Sequence, residues 1–180
     1  KGYFDAFGNF RFLSKEPEGK LALAHYDAAF ALQEIVLLQT QYTDRFFQLC
    51  RLEGGFCMMS ASLLIRLDEA GAETSRQSLD TKDGWSFAAI QEADGVLYVL
   101  TRNFYGEELP ELRKFAPDTL SALEADTCTS EVIGLGLCAD GRLLMGTREE
   151  LFAYDTGSGE TEPLVRWQEL GANVLAEQPW

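Results

Sequence analysis

Positive charge and histidine are what this sequence has least of. Fifteen Lys and Arg stand against 29 Asp and Glu, a formal net charge of −14. That balance argues against nucleic-acid backbones and anionic membrane surfaces, both of which are met by basic patches. The single histidine, His25, sits between Ala24 and Tyr26 with no partner at metal-ligand spacing, so most His-based catalytic and zinc sites are implausible. Long apolar runs are missing too. Stretches such as Val96 to Leu100 are strand-sized, far short of the roughly 18 continuous apolar residues of a membrane helix. The start, Lys1-Gly2-Tyr3-Phe4-Asp5, shows no basic-then-apolar leader and reads as a trimmed or mature chain.

Helical periodicity is the last absence. Ala22 to Leu38 is apolar without clean spacing of three and four residues, and Leu32, Ile35, Val36 and Leu37 fit a buried strand. What the sequence does have is material for a core, with 46% hydrophobic and 12% aromatic residues. From residue 40 onward, short apolar runs alternate with Gly, Asp, Asn and Ser, the pattern of antiparallel strands joined by tight turns.

The clearest unit spans residues 131 to 166. Val132 to Cys138, Leu143 to Thr147, Leu151 to Asp155 and Thr161 to Val165 read as strands, separated by turns at Ala139–Arg142, Arg148–Glu150 and Thr156–Glu160. Asp140-Gly141 supplies the positive φ of a tight hairpin, and Pro163 confines the last strand to an edge, because proline cannot donate to a ladder. Four short strands ending at an edge describe a propeller blade. Phe87–Ile90, Asp94-Gly95 and Val96–Leu100 repeat the order, with the two Asp-Gly turns 46 residues apart. Phe115 precedes Tyr154 by 39 residues, and Leu67 precedes Phe115 by 48. Periods of about 40 to 50 residues are those of blades. The expected fold is therefore all-β, a β-propeller-like array of about four antiparallel blades forming one domain over 1–180. The approximate repeats are 10–52, 53–84, 85–127 and 128–170, with a tail at 171–180. The first repeat is faint, and Tyr42 to Leu52 supplies its later strands.

The run Gly141-Arg142-Leu143-Leu144, on to Leu151-Phe152-Ala153-Tyr154-Asp155-Thr156-Gly157-Ser158-Gly159-Glu160 and Leu164-Val165-Arg166-Trp167, resembles propeller-like segments found ahead of the solute-binding domain in some extracellular lipoproteins of Gram-positive gut bacteria. The likeness covers residues 85 to 170 well and 10 to 80 loosely. It implies a non-enzymatic role in recognition or presentation at the cell surface.

Several constellations carry a sharper reading beside a plain one. Asp155 and Glu160 bracket a loop whose oxygens suit calcium, against an exposed Gly/Ser-rich turn. Glu107, Glu108 and Glu111 cluster as acid–base carboxylates do in glycoside cleavage, against a solvated loop. Ser60 and Ser62 lack a Gly-x-Ser-x-Gly elbow. Gly134-Leu135-Gly136 lacks the third glycine and helix of a phosphate loop, and suits close approach of a bare strand face. Cys50, Cys57, Cys128 and Cys138 match neither a zinc ribbon nor a redox pair and are expected as thiols. Tyr3, Phe4, Phe7, Phe10 and Phe12 form either a closing strand or an aromatic carbohydrate platform, and Phe46 and Phe47 fall in an expected strand.

No residue is assigned a catalytic, cofactor-binding or metal-binding role, and no cofactor is expected. The leading expectation is a non-catalytic extracellular ligand- or protein-binding or scaffold module. The alternative is a carbohydrate-active hydrolase or lyase using loop carboxylates. Expected partners are an unidentified ligand or protein, with a downstream domain or a second copy as further candidates. Trp167, Leu170, Val174, Leu175 and Trp180 are expected to pack across an exposed blade face, in the same molecule or in a second copy, or else to lead into a further domain.

Overall fold

The computed structural model describes residues 2–4, 10–15, 21–38, 48–78, 84–105 and 107–170. These residues form sixteen strands, arranged as four four-stranded antiparallel sheets. The first sheet holds β1 (Gly2–Phe4), β2 (Phe10–Lys15), β3 (Leu21–Tyr26) and β4 (Leu32–Leu37). The second holds β5 (Gln48–Leu52), β6 (Gly55–Met59), β7 (Leu63–Asp68) and β8 (Glu73–Ser78). The third holds β9 (Trp85–Ala93), β10 (Val96–Asn103), β11 (Glu111–Phe115) and β12 (Ala122–Thr127). The fourth holds β13 (Gly134–Leu137), β14 (Leu143–Gly146), β15 (Glu150–Tyr154) and β16 (Thr161–Arg166). Each is a plain meander, so the chain is all-β as the sequence predicts, with no α-helix among the described residues.

The turns follow from local chemistry. Asp94 and Gly95 both take positive φ, 50° and 72°, which makes β9–β10 a two-residue hairpin of the kind Asp-Gly favours. At Asp140-Gly141 only the glycine does so, at 92°, and the loop is longer, closed by Cys138 N–H to Arg142 C=O. One dipeptide thus makes two different turns. A deeper repeat lies between the third and fourth strands. All four sheets shift register there, and the turn that follows places Phe30, Gly71, Leu120 or Gly159 at positive φ. The shared geometry shows most clearly in two turns 39 residues apart. Ala116 N–H bonds Ser121 C=O and Leu120 N–H bonds Ala116 C=O; Asp155 pairs with Glu160, and Gly159 with Asp155, in the same way.

The chain divides into two compact units. One comprises 1–82 and 116–121, the other 83–115 and 122–180. The first unit's core joins Leu23 and Leu38 to Phe56, Met58, Ile65 and Leu67; β6 is buried at every position. The second unit's core joins Ala89, Tyr98 and Leu100 to Leu112, Leu143 and Phe152. Each fully buried large apolar side chain contributes about 1.5–3 kcal/mol, which is what holds four short meanders that would be marginal alone.

Some expectations need correcting. Gln48–Leu52 does not finish the first sheet. It pairs with Gly55–Met59 and opens the second, because Glu53-Gly54 turns the chain straight back, Gly54 at φ 66°. Leu32, Ile35 and Leu37 do form a strand but are half exposed; β4 is an edge strand, and only Val36 packs on the core. Pro163 does lie in the edge strand β16. The glycines of β13 are not forced by close approach. A Cβ at Gly134 would meet nothing, and one at Gly136 would make ordinary contact with Leu144. Phe7, Phe46, Phe47 and the tail 171–180 lie outside the described residues. So do the side chains of Tyr3, Phe4, Phe10, Phe12 and Leu170. Trp167 is described, half-buried, with its indole N–H donating to Thr147 C=O at 3.3 Å.

Candidate functional site

The site begins with a repeated basic position. Counting back two residues from the first hydrogen-bonded residue of the turn after the third strand (Asp27, Asp68, Ala116, Asp155), His25 of β3, Arg66 of β7 and Lys114 of β11 occupy equivalent places in their sheets, while β15 has Ala153 there. Arg66 is saturated. Its Nε donates to Pro117 C=O at 2.9 Å and its Nη1 to Thr74 Oγ1 at 3.1 Å. Its Nη2 reaches Glu53 C=O at 3.1 Å and Asp118 at 3.3 Å. The turn that supplies Pro117 and Asp118 also supplies Leu120, wholly buried despite its φ of 57°.

Lys114 meets a different turn. Where Pro117, Asp118, Thr119 and Leu120 stand beside Arg66, the equivalent turn carries Thr156, Gly157, Ser158 and Gly159. Small residues leave space, and a cavity of about 400 Å³ opens between Lys114 and this turn, within the ~300–1,000 Å³ of ordinary small-molecule sites. Its floor is apolar and buried: Leu112, Cys128, Val132, Met145 and Phe152. A Cβ at Gly159 would find only the Tyr154 hydroxyl, 3.8 Å away. By contrast, one at Gly71 in the first unit would strike Val36 at 2.8 Å. The turn at Gly71 has no comparable room.

The rest of the lining is polar. Lys114 Nζ lies 2.7 Å from Asp126 Oδ2, and the Tyr154 hydroxyl donates to the same oxygen at 3.4 Å. The bond to Asp126 holds the Lys114 ammonium above the usual lysine range, so Lys114 keeps its charge at neutral pH beside the Asp126 carboxyl group. Burial pushes the Tyr98 and Tyr154 phenols up, and raises the Cys128 thiol to about 11 with help from Asp126. Neither phenol nor thiol is a nucleophile near pH 7 under those conditions. Thr156 is fixed by donating to Asp94 Oδ2 at 2.7 Å. Thr127, Thr129, Ser130 and Thr161 also line the cavity, and their hydroxyls bond no other side chain among the described residues.

The residues singled out in the sequence mostly lie elsewhere. The Asp155 carboxylate accepts the N–H groups of Ser158 at 2.7 Å and Gly157 at 3.0 Å, which holds it below the usual carboxylate range. It ties its own turn, and no cluster of metal-ligating side chains occurs among the described residues. The loop carboxylates do not converge: Glu108 accepts from Trp85 Nε1 and Asn103 Nδ2, both at 3.0 Å, while Glu111 pairs with Arg113 at 3.0 Å. Ser60 is buried in a turn, its Oγ accepting from Leu63 N–H at 3.1 Å. His25 Nε2 has no hydrogen-bond partner among the described residues. Cys50 lies directly opposite Cys57, and all four cysteines are free. No sequence motif marks the Lys114–Asp126 pair and its hydroxyl surround; the signal that points to it is the alignment of Arg66 with Lys114 across the 48-residue period.

No protein-family model matches this sequence, and no curated protein does either. Solved structures do. The Neurospora crassa Pan2 WD40 domain superposes with a TM-score of 0.61 at 6% identity, over 91% of this chain and 48% of that one. The computationally designed Ika8 protein gives 0.56 at 12% identity, over 88% and 46%. BBS1N, solved in complex with ARL6DN, gives 0.50 at 18% identity, over 82% and 46%. The fold is β-propeller-like. The chain spans a little under half the length of each of these structures. At such identities the likeness concerns backbone alone.

Proposed function

We propose that the protein is a non-catalytic binding module whose small-molecule seat is the cavity between Lys114 and the turn 155–160. One observation carries this reading. Where Arg66 is met by Pro117 and Asp118 in a turn that also buries Leu120, the second unit keeps the basic residue but has a turn of threonine, glycine and serine. The result is an apolar floor beside a polar lining, the composition of a ligand site. Catalysis by loop carboxylates has less support, because Glu108 and Glu111 are each committed to neighbours in different directions. Work at a cell surface rests on the blade resemblance of residues 85 to 170 and is part of the same proposal.

The test is a titration of methyl-labelled protein with phenol, a probe with one apolar face and one hydroxyl. The expected result is a saturable shift of the Met145, Leu112 and Val132 methyls, with Met58 and Ile65 of the other unit unmoved. Shifts that are absent, or spread evenly over both units, would reject the cavity as a ligand seat.

A further inference from the structure

We infer that the cavity takes a neutral, polyhydroxylated ligand of sugar size, gripped at the Lys114–Asp126 pair; this rests on the binding-module reading above. The first argument is charge. The polar lining offers one cation and one anion 2.7 Å apart, so neither a carboxylate nor an amine on a ligand finds an unmatched charge. An anion would compete with Asp126 for Lys114 and approach a chain of net charge −14; a cation would compete with Lys114 for Asp126. A neutral ligand displaces neither.

The second argument is hydrogen-bond valence. Lys114 has three N–H donors and no acceptor, and a carboxylate such as that of Asp126 accepts without donating. A group that satisfies both at once must donate to one and accept from the other, which is what a hydroxyl does and a carbonyl or an ether does not. Thr127, Thr129, Ser130 and Thr161 around the rim are also donors and acceptors alike, and complement several hydroxyls rather than one. The third argument is shape. Met145, Phe152 and Val132 form an apolar floor, and a pyranose ring carries an apolar C–H face opposite its hydroxyl edges. The mixed lining therefore offers partners both to the C–H face and to the hydroxyls of one small ring. The cavity's roughly 400 Å³ holds one or two such rings.

The experiment titrates the intact chain with methyl β-D-glucopyranoside and methyl β-D-galactopyranoside, with glucuronate and glucosamine as charged controls and phenol as the apolar control. Met145 and Val132 methyl shifts are the readout. The expected result is saturable binding of at least one neutral glycoside, with the matched charged sugar at least tenfold weaker. Lys114→Met and Asp126→Asn should each weaken the neutral glycoside by about tenfold or more and leave the phenol response unchanged, which also shows that both variants are folded. If phenol shifts the floor methyls and no neutral glycoside does, the polyol inference fails while the binding-module reading stands. If neither probe moves them, both fall. Glycoside binding that survives unchanged in Lys114→Met and Asp126→Asn, or that is matched by glucuronate or glucosamine, overturns the role given to the pair.

Discussion

Arg66 and Lys114 stand at equivalent places in two successive four-stranded meanders, yet one is enclosed and the other borders open space. Beside Arg66, residues 116–121 bring a proline carbonyl, an aspartate and a buried leucine. Beside Lys114, residues 155–160 repeat the same two backbone hydrogen bonds with hardly any side chain. The backbone of the two turns is alike, so the difference is one of side-chain volume. Leu120 is the measure of it. A leucine at φ 57° costs roughly 1–2 kcal/mol of backbone strain and is retained because its burial returns more. Gly159 sits at φ 74° without that strain, and gives up the burial.

That contrast is open to direct perturbation. The largest effect should come from Leu120→Ala, which removes a fully buried side chain while keeping the unfavourable φ. Chemical denaturation should show a loss of about 2–4 kcal/mol, and a loss below about 1 kcal/mol would mean the turn does not fill the space it is said to fill. Arg66→Met should follow, at about 1–3 kcal/mol, because the Pro117 and Glu53 carbonyls lose their charged donor. Lys114→Met should cost far less, under about 1 kcal/mol, since its ion pair is half open to water on the Asp126 side. Equal losses at Arg66 and Lys114 would erase the distinction between the two turns.

Alkaline pH should act on both units. Cys57 and Cys128 have thiols raised by burial, and Lys114 is raised by Asp126. A raised folded value means stability that is complete below the ordinary value and lost as pH climbs through the shifted one. For Cys128 the window runs from 9.0 to about 11. Denaturation midpoints should be flat from pH 7 to about 8.5 and fall beyond it. Cys128→Ala should flatten part of that fall without abolishing it, because Cys57 and Lys114 continue to titrate.

How much of this was legible in the sequence differs between the ends of the chain. The last two sheets announced themselves because Asp94-Gly95, Asp140-Gly141 and Pro163 each fix a backbone event that only a few residue types allow. The first two were blurred. β4, Leu-Gln-Glu-Ile-Val-Leu, looks like a core strand by composition, but composition does not tell an edge from a centre, and the strand is exposed. Gln48–Leu52 reads as a closing strand because Phe46 and Phe47 lead into it, whereas the two-residue loop Glu53-Gly54 assigns it to the next sheet. The cavity was harder still. Its polar pair joins Lys114 of β11 to Asp126 of β12, neither of which stands in a recognisable motif. Its opening depends on what Gly157 and Gly159 omit. An absence of side chain shows up only against the filled turn at 116–121.

The central claim is that glycine and serine in the turn 155–160 create the cavity, and a turn exchange tests it most directly. Replacing Thr156-Gly157-Ser158-Gly159 with the residues found at 117–120, as T156P, G157D, S158T and G159L, should seat a leucine on the Met145 and Phe152 floor. The measurement is the shift of the Met145 methyl on titration with phenol. The account predicts that the response disappears in the exchanged protein while the sheet content by circular dichroism is retained. A folded exchange variant that responds to phenol as the parent does would contradict it.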